Sequence, residues 1–502
     1  MYLRAGVLSL GLLIFSRVLG LLRESAQAAA FGATGMGDAV IVMFTLPDLL
    51  VGILFSGALS YVLLPLWARQ SPAQVQDSQK KIGLFLLLSG VMLGMAIWLG
   101  RDVVAHALAP GLQGEMKALG ANSLVWSAAV LPLAMLAALW VTRLQHERDF
   151  VGMHVGSLLV NALLILALVF ISATHVAHMA PVLVLGSFLV LAMLARLGWL
   201  YARLPQATTD LSLNVDAGLP KARVWLWAAL SAGLLLLLPL MARSLASRSG
   251  EGALASYNYA WKLVELPLVL AIQLVASVAF PAITRTQAHS IERRQALQIA
   301  FLLAWALACA AIAVVATFSL PLAELLFGWG RMSPANLAVI AQWSAAGIWS
   351  LLPQALIAVL LTVMAISQQM HVATWAYVAG GTALGLAGWA GLGGTGSGAA
   401  GGLMVMWALD AVLTAVALVL LFSQRRSLKN TVPWAAMLAP LVICVLLVLS
   451  GHLFPRLGML ASLLLAGLFA LLVLAGALAS SSLLQEKLGL RRRFGPTASH
   501  HN

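Results

Sequence analysis

The chain has 502 residues, 62% of them hydrophobic and 9% charged, with a formal net charge of +13. A soluble protein carries about a quarter charged residues, so the composition excludes an ordinary soluble domain. Apolar segments of bilayer length recur from end to end, without the short alternating pattern of barrel strands, which leaves an all-α polytopic membrane protein.

Fourteen helices are predicted, over 5–31, 37–67, 82–108, 120–146, 152–174, 180–203, 222–247, 254–284, 295–318, 335–366, 371–391, 399–424, 432–453 and 457–484. The first contains "FSRVLGLLRES" (15–25), which places Arg17, Arg23 and Glu24 inside an apolar run. A charge at the centre of a membrane helix costs about 3 kcal/mol or more. Arg17 lies roughly 18 Å from the start of span 1, near mid-membrane. Arg17 and Glu24 are seven residues apart, share a face and are expected to pair. Span 2 opens on Asp38, contains Leu46-Pro47 and has Pro65 near its end.

After span 6 comes the longest polar stretch among the spans, "RLPQATTDLSLNVDAGLPKAR" (203–223). It divides the chain into an N-terminal lobe of six spans (1–205), a cytoplasmic linker (206–221) and a C-terminal lobe of six spans (222–425). Residues 426–502 add two spans and a basic tail. Arg243 and Arg248 close span 7. Span 8 repeats the pattern of span 2: Lys262 and Glu265 precede Leu266-Pro267, and Pro281 follows. Leu46 and Leu266 stand 220 positions apart (266 − 46). Six spans per lobe give parallel repeats, as in several transporter folds. Proline frees a backbone carbonyl and permits bending, so Pro47 and Pro267 are expected to act as matched hinges. "SLPLAELLFGWGRMSPA" (319–335) reads as a helix end and a turn, and "GLGGTGSGAAGG" (391–402) as a loop and tight helix start. Asp410 lies within span 12.

The positive charge follows topology rather than nucleic acid. Nineteen of the 29 Lys and Arg fall in the termini and every second loop, against five in the alternate loops. That bias places both termini in the cytoplasm. The first apolar run is too long for a cleavable signal and reads as a true span. Cys309 and Cys444 read as small core hydrophobes rather than a disulfide or metal site. There is no Walker A loop, His-Glu-x-x-His or Gly-x-Ser-x-Gly, so neither an enzyme nor a cofactor or metal site is expected.

For Asp38, Arg243 and Arg248, snorkelling or helix capping at the interface competes with a role in gating a cavity. Arg17 and Lys262 are too deep for that and are expected to line an internal aqueous space. Such cations favour an anionic substrate, and arginine's planar fork matches phosphate.

These residues carry a family resemblance. "SRVLGLLRESAQAAAFGATGMGDAVIVMFTLPDLL" (16–50) resembles the opening signature of the MurJ, or MviN, lipid II flippases of the multidrug/oligosaccharidyl-lipid/polysaccharide exporter superfamily. The matching positions are Ser16 to Gly20, Arg23-Glu24, Phe31-Gly32, Asp38-Ala39 and Leu46 to Leu50. "YAWKLVELP" (259–267) is similar to the family's Tyr-Ala-x-Arg-Leu-x-x-x-Pro, with Lys262 at the basic position, and "LFGWGR" sits where the family has Leu-Phe-x-x-Gly. The resemblance implies a flippase of the bacterial inner membrane, working by alternating access without ATP and driven by membrane potential or an ion gradient. An undecaprenyl-pyrophosphate-linked glycan would enter a cationic cavity, with Arg17, Arg23 and Lys262 at the pyrophosphate and its tail in an apolar groove of the last two spans. Partners implied are that lipid, the membrane lipids and envelope-assembly proteins. Here Val51, Gly52 and Ser56 stand where the family has basic and acidic residues, and Thr45 replaces the basic residue before Leu-Pro. Lipid II and another undecaprenyl-linked oligosaccharide, such as an exopolysaccharide or O-antigen unit, both remain open as substrate. A cation-coupled drug exporter and a non-transporting scaffold are the readings from other classes.

Overall fold

The structure is a computed structural model that describes residues 2–54, 58–174, 180–205, 220–268, 291–367, 369–394, 398–426, 428–429, 431–451 and 457–487. Among the described residues there are helices and no strands. Much of the linker, Pro281 and the basic tail lie outside them. The helices are α1 (Tyr2–Phe31), α2 (Gly35–Ile53), α3 (Leu59–Trp67), α4 (Pro72–Leu99), α5 (Arg101–Leu108), α6 (Gly114–His146), α7 (Phe150–Thr174), α8 (Ala180–Arg203) and α9 (Ala222–Ala246). They continue with α10 (253–268), α11 (Ile291–Phe327), α12 (Pro334–Gly347), α13 (Leu351–Ile366), α14 (Met370–Trp389), α15 (Gly398–Ser423), α16 (Trp434–Ser450), α17 (Met459–Ser480) and α18 (Ser482–Lys487). Each predicted span meets a helix or consecutive helices. Span 2 is α2 with α3, and span 10 is α12 with α13 through a single 3-10 turn.

Two boundaries need correction: span 3 was expected from 82, but α4 starts ten residues earlier at Pro72, where Ser71 caps it. Span 9 was expected to end at 318, with 319–335 as helix end and turn. Instead α11 continues to Phe327 through a kink at Phe318 (φ −114°, ψ 29°). Pro321 has no N–H for the carbonyl one turn back, so the helix bends there rather than stopping.

The helices group into two compact units. The first comprises Met1–Tyr259, Ala323–Ile340 and Tyr377–Leu409, so it gathers segments from both sequence halves. Within it α1, α2, α6, α7 and α8 share one core, in which Phe31, Met43, Phe44, Val130, Leu164 and Leu189 are buried. In α2, Pro47 leaves the Met43 carbonyl without its intrahelical donor, and the Ser127 hydroxyl of α6 donates to that carbonyl. The Ser123 hydroxyl donates to the Ala39 carbonyl one turn earlier, at 3.1 Å. The carbonyl freed by proline is thus tied to a neighbouring helix.

At the turn between α6 and α7, Asp149 accepts from Gly152 N–H at 2.9 Å and from the Arg203 fork at 2.8 and 2.9 Å. Burial pushes the Asp149 carboxyl up, but the Arg203 and Gly152 bonds and the Arg203 charge outweigh it and hold the group below the usual carboxylate range.

The second unit comprises Ala260–Leu322, Ala341–Ala376 and Asp410–Asn502. There α16 packs on α17, Trp305 Nε1 donates to the Met437 carbonyl at 3.0 Å, and the Phe318 and Phe469 rings meet edge to face at 5.3 Å. Cys309 and Cys444 are buried free thiols.

Candidate functional site

Of the sequence-predicted charges of the first unit, Asp38 belongs to one hydrogen-bonded set and Arg23, Glu24 and Arg243 to another. Two helix starts cap each other. Asp38, on the first turn of α2, accepts from Gly252 N–H at 2.8 Å and Ala255 N–H at 2.7 Å, the first amides of α10. A carboxylate at a helix N-terminus satisfies orphan donors and meets the positive end of the dipole. In return the Glu251 carboxylate, just before α10, accepts from Gly35 N–H at the start of α2 at 3.0 Å. Asp38 is 2% exposed, so it does cap a helix, but not its own and not at an open interface. Its own helix is capped by the Thr34 hydroxyl.

Backbone alone makes a second seam. Arg331 N–H donates to the Ala29 carbonyl at 2.9 Å. Gly330 (φ +62°) and Gly252 (φ +76°) adopt left-handed conformations that favour glycine. A Cβ at Gly330 would lie 2.3 Å from the Ala29 carbonyl oxygen, and one at Gly252 2.1 Å from that of Ala33. Both loops approach the end of α1 at a distance only glycine permits.

Further along α1 and α2 runs a chain of buried bonds. Arg23 Nη2 pairs with Glu24 Oε1 at 2.8 Å and approaches Asp48 at 3.9 Å. Its guanidinium lies over the Phe44 ring, 5.4 Å from the centroid. The other oxygen of Glu24 accepts from Asn258 Nδ2 at 3.1 Å. The Asn258 carbonyl accepts from Arg243 Nη1 at 3.2 Å, and Arg243 Nη2 donates to the Thr45 hydroxyl at 2.7 Å. One path therefore links α1, α2, α9 and α10. Glu24 and Asn258 are 5% and 8% exposed, so these bonds are shielded from water.

The expected Arg17–Glu24 pair is not formed. Glu24 is engaged by its neighbour Arg23 and by Asn258, and Arg17, on an exposed stretch of α1, makes no ion pair among the described residues. Arg17 bears electrostatically on His154, on the first turns of α7. Arg248 does not snorkel freely; its Nη1 donates to the Gly388 carbonyl at 2.8 Å. In the second unit Lys262 Nζ pairs with Glu265 Oε2 at 2.8 Å, with both side chains partly exposed. Pro267 lies near the last described turn of α10. Val51 and Gly52 are half-buried on α2, and a Cβ at Gly52 would meet Leu236 Cδ1 of α9 at 2.9 Å. The position that is basic in the family is here a close helix contact. Among the described residues no cluster of His, Cys, Asp or Glu has the makings of a metal site.

Sequence reasoning missed Thr45, Glu251 and Asn258 as members of these sets, and Arg196 and His154 as buried polar groups nearby. Asn258 carried a signal: it stands 220 positions after Asp38, the same offset as the two Leu-Pro pairs.

The chain as a whole is similar to known proteins. A model of the family described as "Lipid II flippase MurJ" matches residues 27–474. A Burkholderia cenocepacia protein named "Lipid II flippase MurJ" is 26% identical over 351 residues, covering 66% of this chain and 67% of that relative. A Rhizobium meliloti protein named "Probable lipid II flippase MurJ" is 25% identical over 359 residues, covering 66% and 64%. The chain thus aligns with about two thirds of the length of these relatives. A solved structure of "Lipid II flippase MurJ, inward closed conformation" superposes with a TM-score of 0.78 at 16% identity, over 97% of this chain and 100% of that one. An inward-facing multidrug resistance MATE transporter follows at 0.65 and 15%, over 83% and 95%. The fold is that of these transporters, and the match over 27–474 decides the family: this multi-pass membrane protein belongs to the lipid II flippase MurJ family.

Proposed function

We propose that the protein moves lipid II from the inner to the outer leaflet of the bacterial cytoplasmic membrane by alternating access. The family match over 27–474 carries this reading. The substrate is a polyprenyl-linked pyrophosphate, and the cations retained in α1 suit such an anion. Both termini lie in the cytoplasm on this reading, as the basic loops and tail argue. The ends of α1, α2 and α10 then form the extracytoplasmic closure. The mutual capping by Asp38 and Glu251 and the path Glu24–Asn258–Arg243–Thr45 hold it shut, and release of the headgroup requires those bonds to part. Membrane potential or an ion gradient drives the cycle, and envelope-assembly proteins are its partners.

The packing of Gly52 against Leu236 favours a second reading, transport of another undecaprenyl-linked oligosaccharide, because a basic position of the family is filled here by a helix contact. Complementation of bacteria depleted of their own lipid II flippase separates the two. Wild type is expected to rescue growth, and Arg17→Ala to insert normally and fail. An expressed wild type that does not rescue assigns the protein to the other glycan. Full rescue by Arg17→Ala removes Arg17 from the mechanism.

A further inference from the structure

We propose that Arg196 of α8 is an additional ligand for the phosphate oxygens of the transported lipid, at a subsite on the α7–α8 flank of the first unit. The inference rests on the flippase reading and adds to it a residue outside the family motifs quoted above.

Arg196 lies seven residues before the end of α8 and is 7% exposed. A guanidinium stays charged, and a buried charge is costly unless paired and hydrogen-bonded. Among the described residues Arg196 has neither an ion pair nor a hydrogen bond. Its Nε is sealed and unpartnered, whereas its two terminal nitrogens, equally without an acceptor, are not sealed. The fork therefore ends in accessible space. Asp48 of α2 acts on it electrostatically without forming a pair, and the Asp48 side chain is 62% exposed and lies 3.9 Å from Arg23.

The side chain is also held in place. Gly156 of α7 makes room for its stem: a Cβ there would lie 3.3 Å from Arg196 Cγ. Two residues earlier on α7, His154 is 9% exposed and feels the charge of Arg17 from α1. Arg196 of α8 and Arg17 of α1 thus approach different positions on the first turns of α7, and neither has an ion pair or hydrogen bond among the described residues. A planar fork whose two terminal nitrogens are open matches a tetrahedral oxyanion that presents two oxygens. The headgroup of the transported lipid and that of a bulk anionic phospholipid both offer this chemistry. The proposal commits to the former, and the test separates the two.

The test uses the full chain in nanodiscs of phosphatidylcholine. Binding of undecaprenyl pyrophosphate and of cardiolipin is measured by native mass spectrometry for wild type, Arg196→Gln and Arg196→Lys. Arg196→Gln is expected to lower affinity for undecaprenyl pyrophosphate by about tenfold or more, as for loss of a charged hydrogen-bond donor, and to leave cardiolipin unchanged. Arg196→Lys, which keeps the charge without the fork, should fall between. If Arg196→Gln does not insert, Arg196→Lys alone decides, with a loss of about threefold or more expected. Undiminished affinity in the variants overturns the proposal, and so does a loss confined to cardiolipin, which assigns the fork to bulk lipid. Absence of undecaprenyl pyrophosphate binding by wild type overturns the flippase reading itself.

Discussion

The middle of α1 and its C-terminal part treat charge in opposite ways. Near its C-terminus, Arg23 and Glu24 belong to a closed path in which each bond leads to the next partner, and Asp38 uses both carboxylate oxygens on backbone amides. At its midpoint Arg17 is exposed, and Arg196 at the α7 flank is buried, both without an ion pair or hydrogen bond among the described residues. Both regions are polar and belong to the same compact unit. A polar group whose partners are internal can hold a shape, whereas one whose partners are missing is available to a ligand. The difference separates closure from binding within a single lobe.

The most severe break in that comparison is Asp38→Leu. It strands two amides at the start of α10 and removes a charge from a helix N-terminus. We expect a loss of about 3 kcal/mol, the cost of two charge-assisted bonds, and no complementation. Wild-type melting together with full rescue would show that the mutual capping is dispensable. Next in size is Ser127→Ala, which leaves the Met43 carbonyl unpaired beside Pro47. A loss of about 1 kcal/mol is expected, read as a lower Tm, with insertion intact. Unchanged stability would restore Pro47 as a free hinge. The smallest effect is a surface baseline, Arg203→Ala. Arg203 is exposed, so solvent screening keeps the contribution of its pair with Asp149 the smallest of the three. Because Asp149 is held below its ordinary range when folded, that contribution is complete above the unfolded carboxylate value and disappears as pH falls through the folded one. The difference between variant and wild type should therefore be measurable at neutral pH and vanish in acid. A difference that persists in acid would assign the effect to packing.

The spans were legible from bilayer length and apolar continuity, but not every helix start: span 8 was expected from 254 and α10 starts at 253, whereas α4 starts at Pro72 rather than 82 because the polar turns before the apolar run are helical too. Pro321 misled because sequence alone does not separate a kink from an end. Pro47 was rightly read as freeing a carbonyl, but its occupant, Ser127, is 84 residues away from Met43 and declares itself only in three dimensions. The Arg17–Glu24 pairing followed from helical spacing and failed because Glu24 is claimed by a residue 234 positions later. Asp38 was seen as a helix cap, yet which helix it caps depends on where α10 begins in space.

The backbone seam at the end of α1 has a consequence for how this protein answers a mutational scan. The bond from Arg331 N–H to the Ala29 carbonyl involves no side chain, and Ala29 and Ala33 are already alanine. Replacing residues by alanine will therefore pass over one whole face of the seam in silence. At Gly330 and Gly252 the same replacement is an enlargement, driving a methyl group to 2.3 and 2.1 Å from a carbonyl oxygen. The substitution usually chosen as the mildest becomes the harshest at these two positions, and the seam will register in such a scan only through its glycines.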